Sequence, residues 1–237
     1  MNNTESYMRT NHPDYEVMLT NSMILVYAYM FLGLLITGVL AYWTYTSRSL
    51  MEFILGSRGV FYLLIFGELA MIIALSHAVR RMSFSACFLF FVLYAVLNGL
   101  TMSVIFLTYT SSSIYSTFLV AALTFGAMSA VGYLTKKDLT SVGHYCLMGL
   151  IGIIVAGIVN LFILNDTASF VITAIGLVVF IGLTAYDTQK IKSWLQEDMD
   201  PESMNKVAIW GALTLYLDFI NIFLEILSLK GRRKGGR

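Results

Sequence analysis

Long runs with few or no charges recur along the chain, at about residues 23–45, 59–78, 84–108, 114–134, 144–164, 169–186 and 207–229. Each approaches the ~20 helical residues that a hydrocarbon core of ~30 Å requires, so each predicts a membrane-spanning helix. The runs are continuously apolar instead of alternating, and the connectors are short, which favours a helical bundle over a barrel. Small residues such as Gly149, Gly152, Ala156 and Gly157 in the fifth run allow close helix contact. Pro13 and Pro201 both fall outside the runs, and no internal repeat of fixed period is visible. The pattern divides the chain into a polar amino-terminal tail (1–22), a seven-helix membrane domain (23–229) and a basic carboxyl-terminal tail (230–237). The expected fold class is all-α, a polytopic membrane protein.

Composition agrees and narrows the function classes. Of 237 residues 58% are hydrophobic and 12% charged, with a mean hydropathy of +0.76, which excludes an ordinary soluble domain. A net charge of +1 gives no reason to expect nucleic acid as a partner. Cys87 and Cys146 sit in apolar surroundings without metal-ligand spacing, and read as small buried hydrophobes. No short apolar stretch with a cleavage site follows the polar start, so a removable signal peptide is not expected and the first run should remain as an anchor.

Lys and Arg sort the connectors. Arg9, Arg80, Arg81, Lys136, Lys137, Lys190, Lys192 and Lys206 lie on one side of an alternating path, and only Arg48 and Arg58 on the other. Eight against two places the amino terminus in the cytoplasm. The tail adds Lys230, Arg232, Arg233, Lys234 and Arg237. A fully spanning seventh helix would carry those five to the sparse side. Charge bias therefore favours a cytoplasmic tail and a last segment that dips in and returns or stays shallow.

The candidate chemistry is acidic. None of the seven runs contains Lys or Arg, yet Glu68 lies at the centre of the second, Asp218 and Glu225 in the seventh, and Asp187 closes the sixth. A carboxylate in hydrocarbon costs a few kcal/mol even on lenient scales and is rarely kept without a task. Without basic partners these groups must be protonated, hydrogen-bonded to one another, solvated in a cavity or paired with a mobile cation. Helical spacing puts Thr214, Asp218, Asn221 and Glu225 on one face, and Thr184 with Asp187 on another. Glu225 could alternatively reach towards Lys230 or Arg232. Hydroxyl, amide and carboxylate oxygens suit a hard cation such as Ca²⁺, here held weakly because too few are present for a tight cage. If the sixth helix runs on to about Lys190, Asp187 and Asp218 can meet, and two close carboxyls titrate as one coupled unit.

Two stretches, Gly182-Leu-Thr-Ala-Tyr-Asp-Thr-Gln-Lys190 and Gly211-Ala-Leu-Thr-Leu-Tyr-Leu-Asp-Phe-Ile-Asn221, resemble the paired signature of the transmembrane Bax inhibitor motif family (Bax-inhibitor-one-like) in its bacterial branch. The resemblance runs from about residue 20 onward. It implies six helices around a central seventh in a bacterial inner membrane. It also implies a pH-sensitive Ca²⁺ leak controlled by two aspartates that share a proton. Asp187 and Asp218 match that pair, as gate and as metal ligands. Glu68 matches an acidic residue lining the pore; Asn221 and Glu225 join the cation path on the helix-face spacing alone. Arg80 and Arg81 both match an arginine of the closed-state latch. Bacterial relatives are also linked to control of membrane proteolysis.

These observations frame the functional expectations. The first is a calcium leak, with calcium as transported ion, membrane lipids around it and no cofactor. The second is a non-transporting regulator of a membrane protease or other membrane partner, with residues 1–22 as its handle. An intramembrane aspartyl protease would also pair two aspartates. Its second motif, however, is glycine-rich where this chain has Leu215-Tyr-Leu-Asp218, and no proline follows Pro201, so no enzyme activity is expected. A Ca²⁺/proton exchanger would want carboxylates in the same places.

Overall fold

The computed structural model describes residues 13–78, 82–196 and 201–234. Among these the chain is helical throughout: α1 (Pro13–Thr46), α2 (Arg48–Gly56), α3 (Arg58–Ala78), α4 (Phe84–Met102), α5 (Ile105–Thr108), α6 (Ser111–Leu134), α7 (Thr140–Ile163), α8 (Asp166–Gln196) and α9 (Pro201–Lys230). Seven stretches of the described residues are long and apolar enough to cross a bilayer, with α4 and α5 together forming the third. The break between those two falls at Ser103, whose hydroxyl donates to Leu100 O at 2.6 Å and diverts that carbonyl from the helical ladder. The chain is an all-α polytopic membrane protein. Residues 13–22, expected as part of a polar tail, are already helical and form the first turns of α1.

Side-chain burial decides which helix is central. Two-thirds of the apolar window of α9 is buried (67%), against 33% or less for every other span and none for α7. α9 packs against α8, α1, α6 and α4, which form a wall around it, while α3 lies outside on α4 and α7 outside on α8. Leu213, Leu215, Tyr216, Ile222 and Leu227 of α9 are almost wholly enclosed, whereas Leu123, Tyr145, Leu161 and Phe162 stand exposed on the outer helices. A large outward apolar surface is costly in water and suited to lipid. Glycines bring α8 close to its neighbours: Gly132 of α6 abuts the Ala185 backbone, and Gly143 and Gly182 seat Tyr186 and Cys146 in the α7–α8 contact.

The last helix spans the bundle completely, contrary to the expectation of a shallow or returning segment. α9 has 30 residues, or ~45 Å of helix. Beyond it the chain is tied to the loop between α5 and α6. Thr110 N donates to Arg232 O at 3.0 Å and Lys234 N to Thr108 O at 2.8 Å, flanking an antiparallel bridge between Tyr109 and Arg233. Lys234 Nζ donates to Phe106 O at 2.7 Å and to the hydroxyl of Tyr45, near the end of α1. The tail thus lies at the end where α1 finishes and α6 begins, opposite the connector that follows Leu134. The tail and the start of α1 therefore lie at opposite ends of the bundle, so the charge bias cannot hold for both. With the tail so placed, the basic contrast falls to eight against seven.

Candidate functional site

The contact between α8 and α9 carries both aspartates. Its register follows from two close approaches: Ile191 packs on Gly211, and the Glu225 carboxylate lies against Gly176. Antiparallel helices in that register bring Asp218 level with Thr184 and Asp187 level with Thr214, so the carboxyls sit about one helical turn, ~5 Å, apart along the axis. They are within direct Coulombic reach of each other. Lys190, one turn on, and Cys146 of α7 are also within electrostatic reach of Asp187.

Asp187 is not at the lip of its helix. α8 continues nine residues further, to Gln196, which sets Asp187 ~14 Å from its end. Hydropathy ends the sixth run at 186 because the extension is amphipathic. Thr188, Ile191 and Leu195 continue the buried stripe at helical spacing. The cations beside them are shielded by rings, Lys190 Nζ standing 5.2 Å from the Tyr186 centroid and 5.1 Å from that of Trp194.

Asp218 is only 4% exposed, and its Oδ2 accepts no hydrogen bond. The two threonine hydroxyls near it are committed within their own helices, and so is one N–H of the Asn221 amide. Thr184 donates to Phe180 O at 2.8 Å, Thr214 to Trp210 O at 3.0 Å and Asn221 Nδ2 to Leu217 O at 2.8 Å. The site is therefore rich in acceptor oxygens, and the second N–H of Asn221 does not reach the buried Asp218 Oδ2. What satisfies such a set is a proton shared between carboxyls or a cation.

The other candidates separate. Glu225 turns to Gly176 and Thr173 of α8, away from Lys230 and Arg232. Glu68 lies elsewhere, held by Asn98 Nδ2 at 3.2 Å and the Thr101 hydroxyl at 2.8 Å. Asn98 Oδ1 in turn accepts from the Tyr216 hydroxyl at 2.9 Å, and that hydroxyl meets Thr37 Oγ1 at 2.7 Å. Tyr216 and Asp218 are two positions apart, hence ~200° around the helix, so Glu68 connects to the opposite face of α9 from the aspartate pair. Arg80 and Arg81 lie outside the described residues.

Several polar residues of this core escape a reading by charge. Besides Thr37, Asn98, Thr101 and Tyr216, a second chain links three helices beside Asp187. In it the Tyr27 hydroxyl meets Ser129 Oγ at 2.5 Å, and Ser129 meets Thr188 Oγ1 at 3.0 Å. Asn98 was the detectable one, an amide midway along an apolar run.

Comparison with known proteins agrees with the motifs. A family model described as inhibitor of apoptosis-promoting Bax1 matches residues 19–235. The inner membrane protein YbhL of Escherichia coli (strain K12) is 44% identical over 218 residues, covering 91% of this chain and 93% of its own length. An uncharacterized protein of Rickettsia prowazekii is 41% identical, covering 91% of each chain. One from Borreliella burgdorferi is 40% identical, covering 92% of this chain and 95% of its own. Near-complete coverage at this identity, together with the central seventh helix and its aspartate-bearing contact with the sixth span, establishes that the chain belongs to the Bax inhibitor-1-like family of polytopic membrane proteins.

Proposed function

We propose that this protein is a pH-sensitive calcium leak of the inner membrane, closed while Asp187 and Asp218 share a proton. The observation that carries the reading is the unmet Oδ2 of the buried Asp218, beside threonine hydroxyls that donate within their own helices. A shared proton satisfies both carboxyls and holds α8 against α9. Losing it leaves two like charges one turn apart. At an effective dielectric of about 20 their repulsion is about 3 kcal/mol, enough to shift a closed–open equilibrium about a hundredfold. Calcium relieves the same repulsion by binding both carboxylates, weakly, with Asn221 and the two threonine oxygens as neutral neighbours. Glu225 continues the carboxylate-bearing face along α9 towards the tail end, and Glu68 draws cations from the other side of the helix. The inner-membrane location follows the relative YbhL, and a cytoplasmic amino terminus rests on the connectors alone, eight basic residues against two with the tail left out.

The test is Ca²⁺ flux into liposomes holding the purified protein, at about pH 6 and about pH 8 across the coupled titration. Wild type should leak faster at the higher pH, and Asp187→Asn or Asp218→Asn should erase the difference. A variant whose flux still follows pH like wild type would overturn the aspartate gate. No flux above empty liposomes at either pH would favour the regulator of a membrane partner instead.

A further inference from the structure

The tyrosine hydroxyl at the centre of the bundle has a task of its own. Tyr216 is fully enclosed, with its ring edge-on to Phe91 and Tyr94 at centroid distances of 6.3 and 5.8 Å. Its oxygen stands between Thr37 of α1 and Asn98 of α4, and Asn98 stands between it and Glu68 of α3. Four helices therefore meet in one chain of hydrogen bonds, with the carboxylate of the outer helix α3 at one end and the central helix at the other.

The direction of the protons in that chain is constrained. An ionised carboxylate only accepts, so Asn98 must turn its NH₂ to Glu68 and its carbonyl oxygen to Tyr216. Tyr216 must then donate to Asn98. Thr37 is left with one proton for two acceptors, the Tyr216 oxygen and Ala95 O at 2.9 Å. Were Glu68 to take a proton, or α9 to withdraw Tyr216, the amide of Asn98 would lose its reason to hold this orientation.

We propose that Tyr216 is a positioning residue for Glu68, acting through Asn98, so that α9 sets the geometry of the α3 carboxylate as well as that of the aspartate pair. The inference rests on the calcium-leak reading and deepens it. Helix α9 bears Asp218 on one face and the Tyr216 hydroxyl on the other. A movement that parts α9 from α8 also changes the hold on Glu68. The gate and the cation-attracting carboxylate are thereby linked through one rigid element.

The experiment compares Tyr216→Phe, which keeps the ring and removes the hydroxyl, in the wild-type and Glu68→Gln backgrounds. The Ca²⁺ concentration for half-maximal flux should shift several-fold in the first background and stay unchanged in the second. Merely structural damage would lower maximal flux in both backgrounds without moving the half-maximal concentration in either. An equal shift in the two backgrounds would overturn the proposal. A second arm, the melting temperatures of the same four proteins, needs no transport. Non-additive shifts support the Tyr216–Asn98–Glu68 coupling, and additive shifts reject it. If wild type passes no Ca²⁺ at all, the leak reading has failed, and this arm still decides whether Tyr216 positions Glu68.

Discussion

The two faces of α9 spend the same kind of polar group in opposite ways. Towards α1 and α4, the Tyr216 hydroxyl is surrounded by Thr37 and Asn98, and every step to Glu68 is bonded. Towards α8, Asp218 is just as deeply enclosed, yet one of its oxygens has no partner. A satisfied network holds helices in one arrangement, whereas an unsatisfied carboxylate makes the arrangement depend on what arrives to satisfy it. One side of the central helix is built to stay and the other to respond.

That contrast can be broken at its responsive side first. Asp218→Asn replaces the orphaned oxygen and its charge with a neutral amide, and the pH dependence of Ca²⁺ flux in liposomes should vanish entirely. Next in size is a steric change one helix away. Gly132→Leu would drive its side chain into the Ala185 backbone, and overpacking of this kind costs about 1–3 kcal/mol. A lower melting temperature, with α8 displaced and the leak no longer closed at low pH, is the expected outcome. On the bonded face, Tyr216→Phe should cost about 1–2 kcal/mol by leaving the Asn98 carbonyl unmet, read as a melting shift in detergent. Its pH response should survive, because the aspartates are untouched.

The smallest effect belongs to a carboxylate whose donors are supplied. Asp138, on the connector after α6, accepts from the backbone N of Thr140 at 2.8 Å and from its hydroxyl at 2.6 Å. Those bonds hold its carboxyl below the usual aspartate range. Its folded value is the lower one, so the stabilisation is present above about pH 3.9 and is lost as pH falls through the folded midpoint. A carboxyl titration by NMR should place that midpoint below the free value. A midpoint at or above it would undo the contrast with Asp218.

Hydropathy revealed most of the fold, because a lipid-facing wall must be apolar along its length. The central place of the seventh helix came only from the family resemblance carried by the aspartate signatures, whereas the seven spans were legible in the chain. The extension of α8 past Asp187 was not, because Lys190 and Lys192 lower its hydropathy while Thr188, Ile191 and Leu195 keep packing inward. The short helix α2 was missed for a similar reason, since only Met51 and Ile54 mark its buried side. At the site, charge drew the eye to Asp187, Asp218, Glu68 and Glu225. It passed over Tyr216, Thr37 and Ser129, neutral groups whose importance depends on what lies across the helix contact. The charges of the basic tail favoured the same side as the amino terminus, whereas the chain path ties it to the opposite end of the bundle.

The central position of α9 also bears on biogenesis. It is the last of the seven spans to leave the ribosome, so the helices that surround it enter the membrane before the core they enclose exists. Until Leu213, Tyr216 and Phe219 arrive, the inward faces of α1, α4, α6 and α8 have only one another or lipid to contact. The assembled bundle must therefore form late, around its final helix. The backbone bridge between Arg233 and Tyr109 can close only once that helix has crossed.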